Sequence, residues 1–208
     1  IRVVDILTRE LDDSLLEEAD VFFVGGSGEF SVLDDVPQVR AFVDYLAMLV
    51  DRRVPLFASC FGFQAMVLGL GGEVIRDEPN SEVGSFDLQT TPDGTKDELF
   101  SVMPPTFVAQ LGHKDRATRL PSGMLCLASS ERAPFQALRV CDAPIYGTQF
   151  HPELTDEDNR RRFQNYMDEY GRLFGREEAQ RLLDSHRPSP ESNSLLRRFV
   201  DHVVETRL

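Results

Sequence analysis

The chain has 208 residues, 41% of them hydrophobic and 27% charged, which is enough apolar material for the core of one soluble globular domain. A formal net charge of −13 repels phosphate backbones and anionic lipid, so neither nucleic acid nor a membrane surface is an expected partner. The three cysteines, Cys60, Cys126 and Cys141, have no disulfide-framework or metal-site spacing, no apolar run is long enough to span a membrane, and "IRVVDILTRE" lacks the character of a signal peptide, so a cytoplasmic protein is expected.

In chain order, "IRVVDIL", "DVFFVGG" and "VPLFASC" are continuous apolar runs, the pattern of strands buried on both faces of a parallel sheet. Between the second and third, Val39, Phe42, Val43, Leu46, Leu49 and Val50 recur at helical spacing. "FQAMVLGLGG" reads as a second helix ended by glycines. Strand and helix in alternation imply right-handed crossovers onto a parallel sheet. The middle of the chain ("EVIRDE", "GSFDLQTTPDG", "FVAQLGHKD", "MLCLASSE") is shorter and punctuated by turns, which suits a mixed or antiparallel extension of that sheet. "APFQALRVCDAPIYGTQFHPE" reads as two strands joined by an Asp-Ala-Pro turn. A charged helical stretch from Leu154 to Asp184 follows. The expected organisation is one domain over 1–208: a body over 1–184, a polar linker "SHRPSPESNS" over 185–194, and a terminal helix over 195–208. The helix carries Leu195, Leu196, Phe199, Val200, Val203 and Val204 on the face expected to meet the sheet.

"PLFASCFGFQ" places Cys60 where an apolar strand gives way to a helix, with the small residues Ala58 and Gly62 two positions to either side. A strand-to-helix elbow of this kind lifts a nucleophile clear of the sheet, and the small neighbours let the turn close. The helix start directs free N–H groups at the sulfur, which favours the thiolate, and the Phe61 N–H is placed to face a developing oxyanion. A thiol nucleophile needs a base, and the chain has four histidines. His186 and His202, in the linker and the terminal helix, are expected to be solvated. His151 follows an apolar strand in "QFHPE", with Glu153 two residues on, so both side chains can point to one side and the carboxylate can fix the imidazole tautomer. His113, in "LGHKD", reads equally as structural or as ligand-binding.

"ASCFGFQ" together with "QFHPE" resembles the class I, triad-type glutamine amidotransferases, in particular the glutaminase domain of GMP synthase and its free-standing relatives. "VGGSGEFSV" and "GHKDRATRLPSG" are similar to two further landmarks in family order, so that the likeness runs from Val21 to Leu154. It implies an α/β fold, a flavodoxin-like, mostly parallel sheet flanked by helices with an antiparallel extension. It also implies Cys60 as nucleophile, His151 as acid-base and Glu153 as its orienting partner. The oxyanion hole falls on the N–H groups of Phe61 and of Gly26, with Gly25 as the alternative. Gln64 is implied in holding the substrate, and Glu82, Gly84, His113 and Asp115 in bordering the pocket.

Ala58 departs from the family's usual glycine, and the resemblance puts a strand and a helix ahead of anything like "IRVVDIL", so the fold's first strand is expected to be missing. The reaction implied is hydrolysis of the glutamine side-chain amide through a thioester, with no cofactor and no metal. "GGSGEF" has no phosphate-loop lysine and nothing else resembles an acceptor-nucleotide motif, so ammonia is expected to pass to a separate synthetase polypeptide. The alternatives are a free-standing γ-glutamyl peptidase and a catalytically idle regulatory module.

Overall fold

The computed structural model describes residues 1–8 and 11–207, the side chains of 204–207 excepted. A short helix α1 (Ser14–Glu18) leads to strand β1 (Phe22–Val24), helix α2 (Pro37–Asp51), strand β2 (Leu56–Ser59) and helix α3 (Phe61–Gly69). Strands β3 (Glu73–Arg76), β4 (Glu82–Thr90), β5 (Thr106–His113), β6 (Asp115–Arg119), β7 (Met124–Ser129), β8 (Ala137–Val140) and β9 (Ile145–Thr148) follow. Helices α4 (Asp156–Asn165), α5 (Met167–Phe174), α6 (Arg176–Asp184), α7 (Pro190–Asn193) and α8 (Leu195–Arg207) complete the described chain.

A seven-stranded sheet runs in the order β1-β2-β9-β8-β7-β4-β5, and β3 pairs with β6 in a separate ribbon. β1, β2 and β9 are mutually parallel, and from β9 outward every pairing is antiparallel. The α/β architecture with an antiparallel extension is therefore present, its parallel part confined to three strands. "IRVVDIL" does not become a strand: residues 1–5 are irregular and 6–8 form a turn. A strand needs a hydrogen-bonding neighbour, and this segment instead lays Val4 and Ile6 against the helical core while Ile1 and Val3 face solvent.

Alternation along the parallel strands divides the core in two. Leu56, Ala58 and Ile145 join Leu46, Leu49, Phe63 and Met66 of α2 and α3 on one face. Phe57 and Tyr146 point the other way, onto Leu195, Phe199 and Val203 of α8. The terminal helix thus packs on the sheet as its stripe implies, with Leu196 half-buried and Val200 left 37% exposed. Val204 belongs to the expected stripe but lies outside the described side chains.

Residues 185–194 do not behave as a free polar linker. They include α7, and Gln110 donates from Nε2 to the Arg187 carbonyl (2.9 Å) and to Ser189 Oγ (3.0 Å). Asn193 donates from Nδ2 to the carbonyls of Pro152 (2.9 Å) and Leu154 (2.7 Å), and Ser192 is fully buried. The polar side chains that gave the segment its linker character are spent on fixed backbone partners. His186 is likewise half-buried, its ring edge-on to Phe163 at 5.6 Å.

Candidate active site

The carboxyl ends of β1, β2 and β9 lie side by side, since Val24 is in register with Ala58 and Ala58 with Gly147. The three segments that leave them carry Gly26, Cys60 and His151, so the parallel pairing alone brings three candidates to one edge. Cys60 sits at the turn with φ 50° and ψ −102°, a conformation side chains rarely adopt and one that costs roughly 1–3 kcal/mol. Its N–H donates to the Thr148 carbonyl (2.7 Å) and its carbonyl accepts from the Gln64 N–H (3.0 Å), so strand and helix hold the strain from both sides. Gly62 is needed here: a Cβ at that position would come 2.4 Å from Val24 Cγ1 and 3.2 Å from the Val24 carbonyl oxygen.

His151 is buried, and its backbone N–H donates to the Gln110 carbonyl (2.8 Å). Nδ1 lies 2.7 Å from Glu153 Oε1, which also accepts from the Ser59 hydroxyl (3.2 Å). Burial opposes charge on the imidazole, but the charge of Cys60 and the hydrogen bonds to Cys60 and Glu153 prevail and raise its pKa to about 9. For Glu153, burial favours the neutral acid, and the hydrogen bond and charge of His151 outweigh it, holding the carboxyl below its ordinary range. Gly26 lies against both partners, since a Cβ there would be 2.7 Å from His151 Cε1 and 3.4 Å from Cys60 Cβ. A Cβ on Gly25 would meet nothing within 4 Å, so of the two glycines it is Gly26 that lies against Cys60 and His151.

Of these residues Cys60 opens on a cavity of about 370 Å³, whose walls also include Phe61, Gln64, His113 and Asp115, while Gly26, His151 and Glu153 are not among its lining residues. Gln64 donates from Nε2 to the Asp115 carbonyl (2.7 Å) and to Gln149 Oε1 (3.1 Å), and Gln149 reaches Cys60 Sγ at 3.8 Å. Asp115 is held by Arg76 Nε and Ser31 Oγ, each at 2.5 Å. His113 is pinned between the Asp115 carbonyl (3.0 Å) and Glu82 Oε2 (3.1 Å). Glu82 and Gly84 do not reach the cavity. Glu82 is buried behind His113, where Gln136 also donates to it (2.6 Å), because a carboxylate inside a β-sheet must find donors wherever the strands supply them. Gly84 faces α6, and its carbonyl accepts from Asn159 Nδ2 (3.3 Å).

Four residues outside the expected set also serve the site. Ser59 and Gln149 were within reach of sequence reading, as immediate members of the two motifs. Arg162 and Tyr166 were not. Arg162 Nη1 lies 3.0 Å from His151 Nε2, and Tyr166 lines the cavity with its hydroxyl where a Cβ on Gly28 would stand (2.5 Å). The only clue was helical phase: Asn159 and Phe163 are the buried positions of α4, so Arg162 flanks its inner face within the run "NRRRF".

The family model for class I glutamine amidotransferases matches residues 2–167. A glutamine-hydrolyzing GMP synthase of Thermosipho africanus is 36% identical over 141 residues, covering 67% of this chain and 25% of that protein. One subunit of a glutamine-hydrolyzing GMP synthase from Sulfolobus acidocaldarius is 36% identical over 144 residues, 68% of this chain and 73% of the relative. The chain thus spans about a quarter of the first of these relatives and about three quarters of the second. A glutamine amidotransferase from Thermotoga maritima superposes with a TM-score of 0.70 at 22% identity, over 91% of this chain and 80% of that one, a likeness of fold. The chain belongs to the class I glutamine amidotransferases, and it is GMP synthases that it resembles in sequence.

Proposed function

We propose that the chain is a cysteine-dependent glutaminase that supplies ammonia to an acceptor enzyme. The observation that carries this is the meeting of a strained elbow thiol on a cavity wall with a His151–Glu153 pair at 2.7 Å and a glycine, Gly26, close against both His151 and Cys60. The Cys60 thiol passes its proton to His151 Nε2, and the sulfur bonds to the side-chain amide carbon of glutamine. The carbonyl oxygen takes the negative charge and is met by the N–H groups of Phe61 and Gly26. As the oxyanion collapses, His151 returns the proton to the departing nitrogen, ammonia leaves, and a thioester remains. Water, deprotonated by His151, attacks the thioester; glutamate departs and the thiol is restored. Glu153 keeps the proton on Nδ1, so that Nε2 is the nitrogen that works, and Ser59 steadies Glu153. Gln64, His113 and Asp115 form the wall that positions the substrate, with Gln149 behind Gln64. Two of the similar proteins are named as single subunits of a GMP synthase, which supports an acceptor on a separate polypeptide.

The test is ammonia release from glutamine compared with cleavage of γ-glutamyl dipeptides, with Cys60→Ala as the blank. Faster turnover of glutamine is expected; a strong preference for the dipeptides would replace this reading with a γ-glutamyl peptidase. The glycine loop gives a second expectation. In Gly26→Ala the new methyl would press on His151 Cε1, so turnover should drop on the order of a hundredfold through misplacement of the base. Gly26 lies in a surface loop outside the core clusters, so the melting temperature should stay nearly unchanged, which calorimetry would check.

A further inference from the structure

Arg162 stands in a place that the reaction above cannot tolerate. A guanidinium only donates hydrogen bonds, so at 3.0 Å from Nη1 it is the neutral His151 that offers Arg162 its Nε2 lone pair, with Nδ1–H donating to Glu153. The imidazolium that, against the cost of burial, the charge of Cys60 and the hydrogen bonds to Cys60 and Glu153 favour has no lone pair there, and turns Arg162 away. The Nε2 lone pair is the one Cys60 needs for its proton. Arg162 and Cys60 therefore compete for a single nitrogen. Three cations line the cavity. Arg76 is paired with Asp115 and Lys114 with Glu169, whereas Arg162 has no carboxylate partner among the described residues. Its guanidinium rests on bare backbone: a Cβ on Gly112 would come within 3.1–3.3 Å of Nη1, Cζ and Nη2, so glycine at 112 makes room for it.

We infer that Arg162 is a carboxylate-operated gate: free of substrate its guanidinium caps His151 Nε2, and the α-carboxylate of a bound glutamine or γ-glutamyl compound draws it away and releases the base. This rests on the proposed hydrolysis of a γ-glutamyl amide, since all such substrates carry a free α-carboxylate. A planar guanidinium prefers a carboxylate, which accepts two charge-assisted hydrogen bonds, to a single imidazole lone pair. Binding thereby switches the site on, and a neutral amide that merely fits the cavity leaves the base capped. The shift in population is set by how much better Arg162 binds the carboxylate than the imidazole.

The test uses the full chain with Arg162→Ala and Arg162→Lys, and reads two quantities. The first is the rate at which neutral iodoacetamide alkylates Cys60 without substrate, resolved by mass spectrometry. Cys126 serves as internal reference, since burial pushes its thiol up to about 11. Arg162→Ala should alkylate Cys60 several-fold faster, because the base is uncapped. Losing a cation also withdraws some support from the thiolate, so any acceleration observed is a lower bound on the effect of uncapping the base. The second is steady-state hydrolysis of glutamine and of its α-carboxamide. In Arg162→Ala the KM for glutamine should rise on the order of tenfold to a hundredfold, with kcat changed far less. The wild-type preference for glutamine over its α-carboxamide should shrink by the same factor, and Arg162→Lys should restore part of it. An unchanged alkylation rate overturns the gate, and an unchanged KM overturns its operation by carboxylate. The alkylation arm contains no substrate, so accelerated labelling in a chain that hydrolyses no glutamine would uphold the cap and refute the glutaminase reading instead.

Discussion

Replacing Cys60 with alanine is expected to lower ammonia release from glutamine by roughly 10⁶-fold, and His151→Ala by nearly as much, because nucleophile and base act as one unit. Glu153→Gln should leave more, losing about 10²–10⁴-fold. A glutamine side chain keeps the shape and can still accept from Nδ1, but it lacks the charge that favours imidazolium. Glu153 is also among the groups that hold the His151 proton, so the His151 pKa should fall below about 9 in the Glu153→Gln protein. Quantitative ammonia assays and an NMR titration of the His151 ring would measure both effects. Equal losses for Glu153→Gln and His151→Ala would mean that the roles are wrongly assigned, provided circular dichroism shows both variants folded.

The largest expected effect on stability comes from Phe199. Its ring is fully buried and meets Phe57 at 5.4 Å, Phe23 at 5.8 Å and Tyr146 at 5.9 Å, each edge-on. Truncation to alanine removes the aromatic area and leaves a cavity that strands β1, β2 and β9 cannot collapse to fill, since they are fixed by their ladder. The expected loss is about 3–5 kcal/mol, which for a chain of this length corresponds to a fall in melting temperature of about 6–20 °C. Differential scanning calorimetry on Phe199→Ala would read it. A fall of only a degree or two would show that α8 contributes little to the core.

What could be read from the sequence follows from distance along the chain. The elbow at Cys60 and the His151–Glu153 pair are local patterns, each set by a few neighbouring residues, and the strand alternation that turns Leu56 to one core and Phe57 to the other is equally local. Arg162 was illegible because its role depends on α4 being laid across β5, which no spacing within "NRRRF" announces. Glu82 and Gly84 failed for the reverse reason. The family resemblance places them at the pocket, but the β4–β5 pairing sets Glu82 opposite His113, so that His113 takes the cavity wall and Glu82 the layer behind it. Backbone satisfaction decided the remaining differences: "IRVVDIL" has strand composition and no ladder to join, and 185–194 has linker composition and many fixed partners.

The contacts of Asn193 with Pro152 and Leu154 bear on when activity can arise during synthesis. The loop that carries His151 and Glu153 receives these two hydrogen bonds from a residue translated long after it, and Gln110, whose carbonyl holds the His151 N–H, is itself fastened to Arg187 and Ser189. On the ribosome, a nascent chain that has already emitted Cys60, His151 and Glu153 still lacks these contacts until 185–194 has been made. Under the proposed glutaminase function, competence is expected to await the docking of 185–194 onto the loop that carries His151.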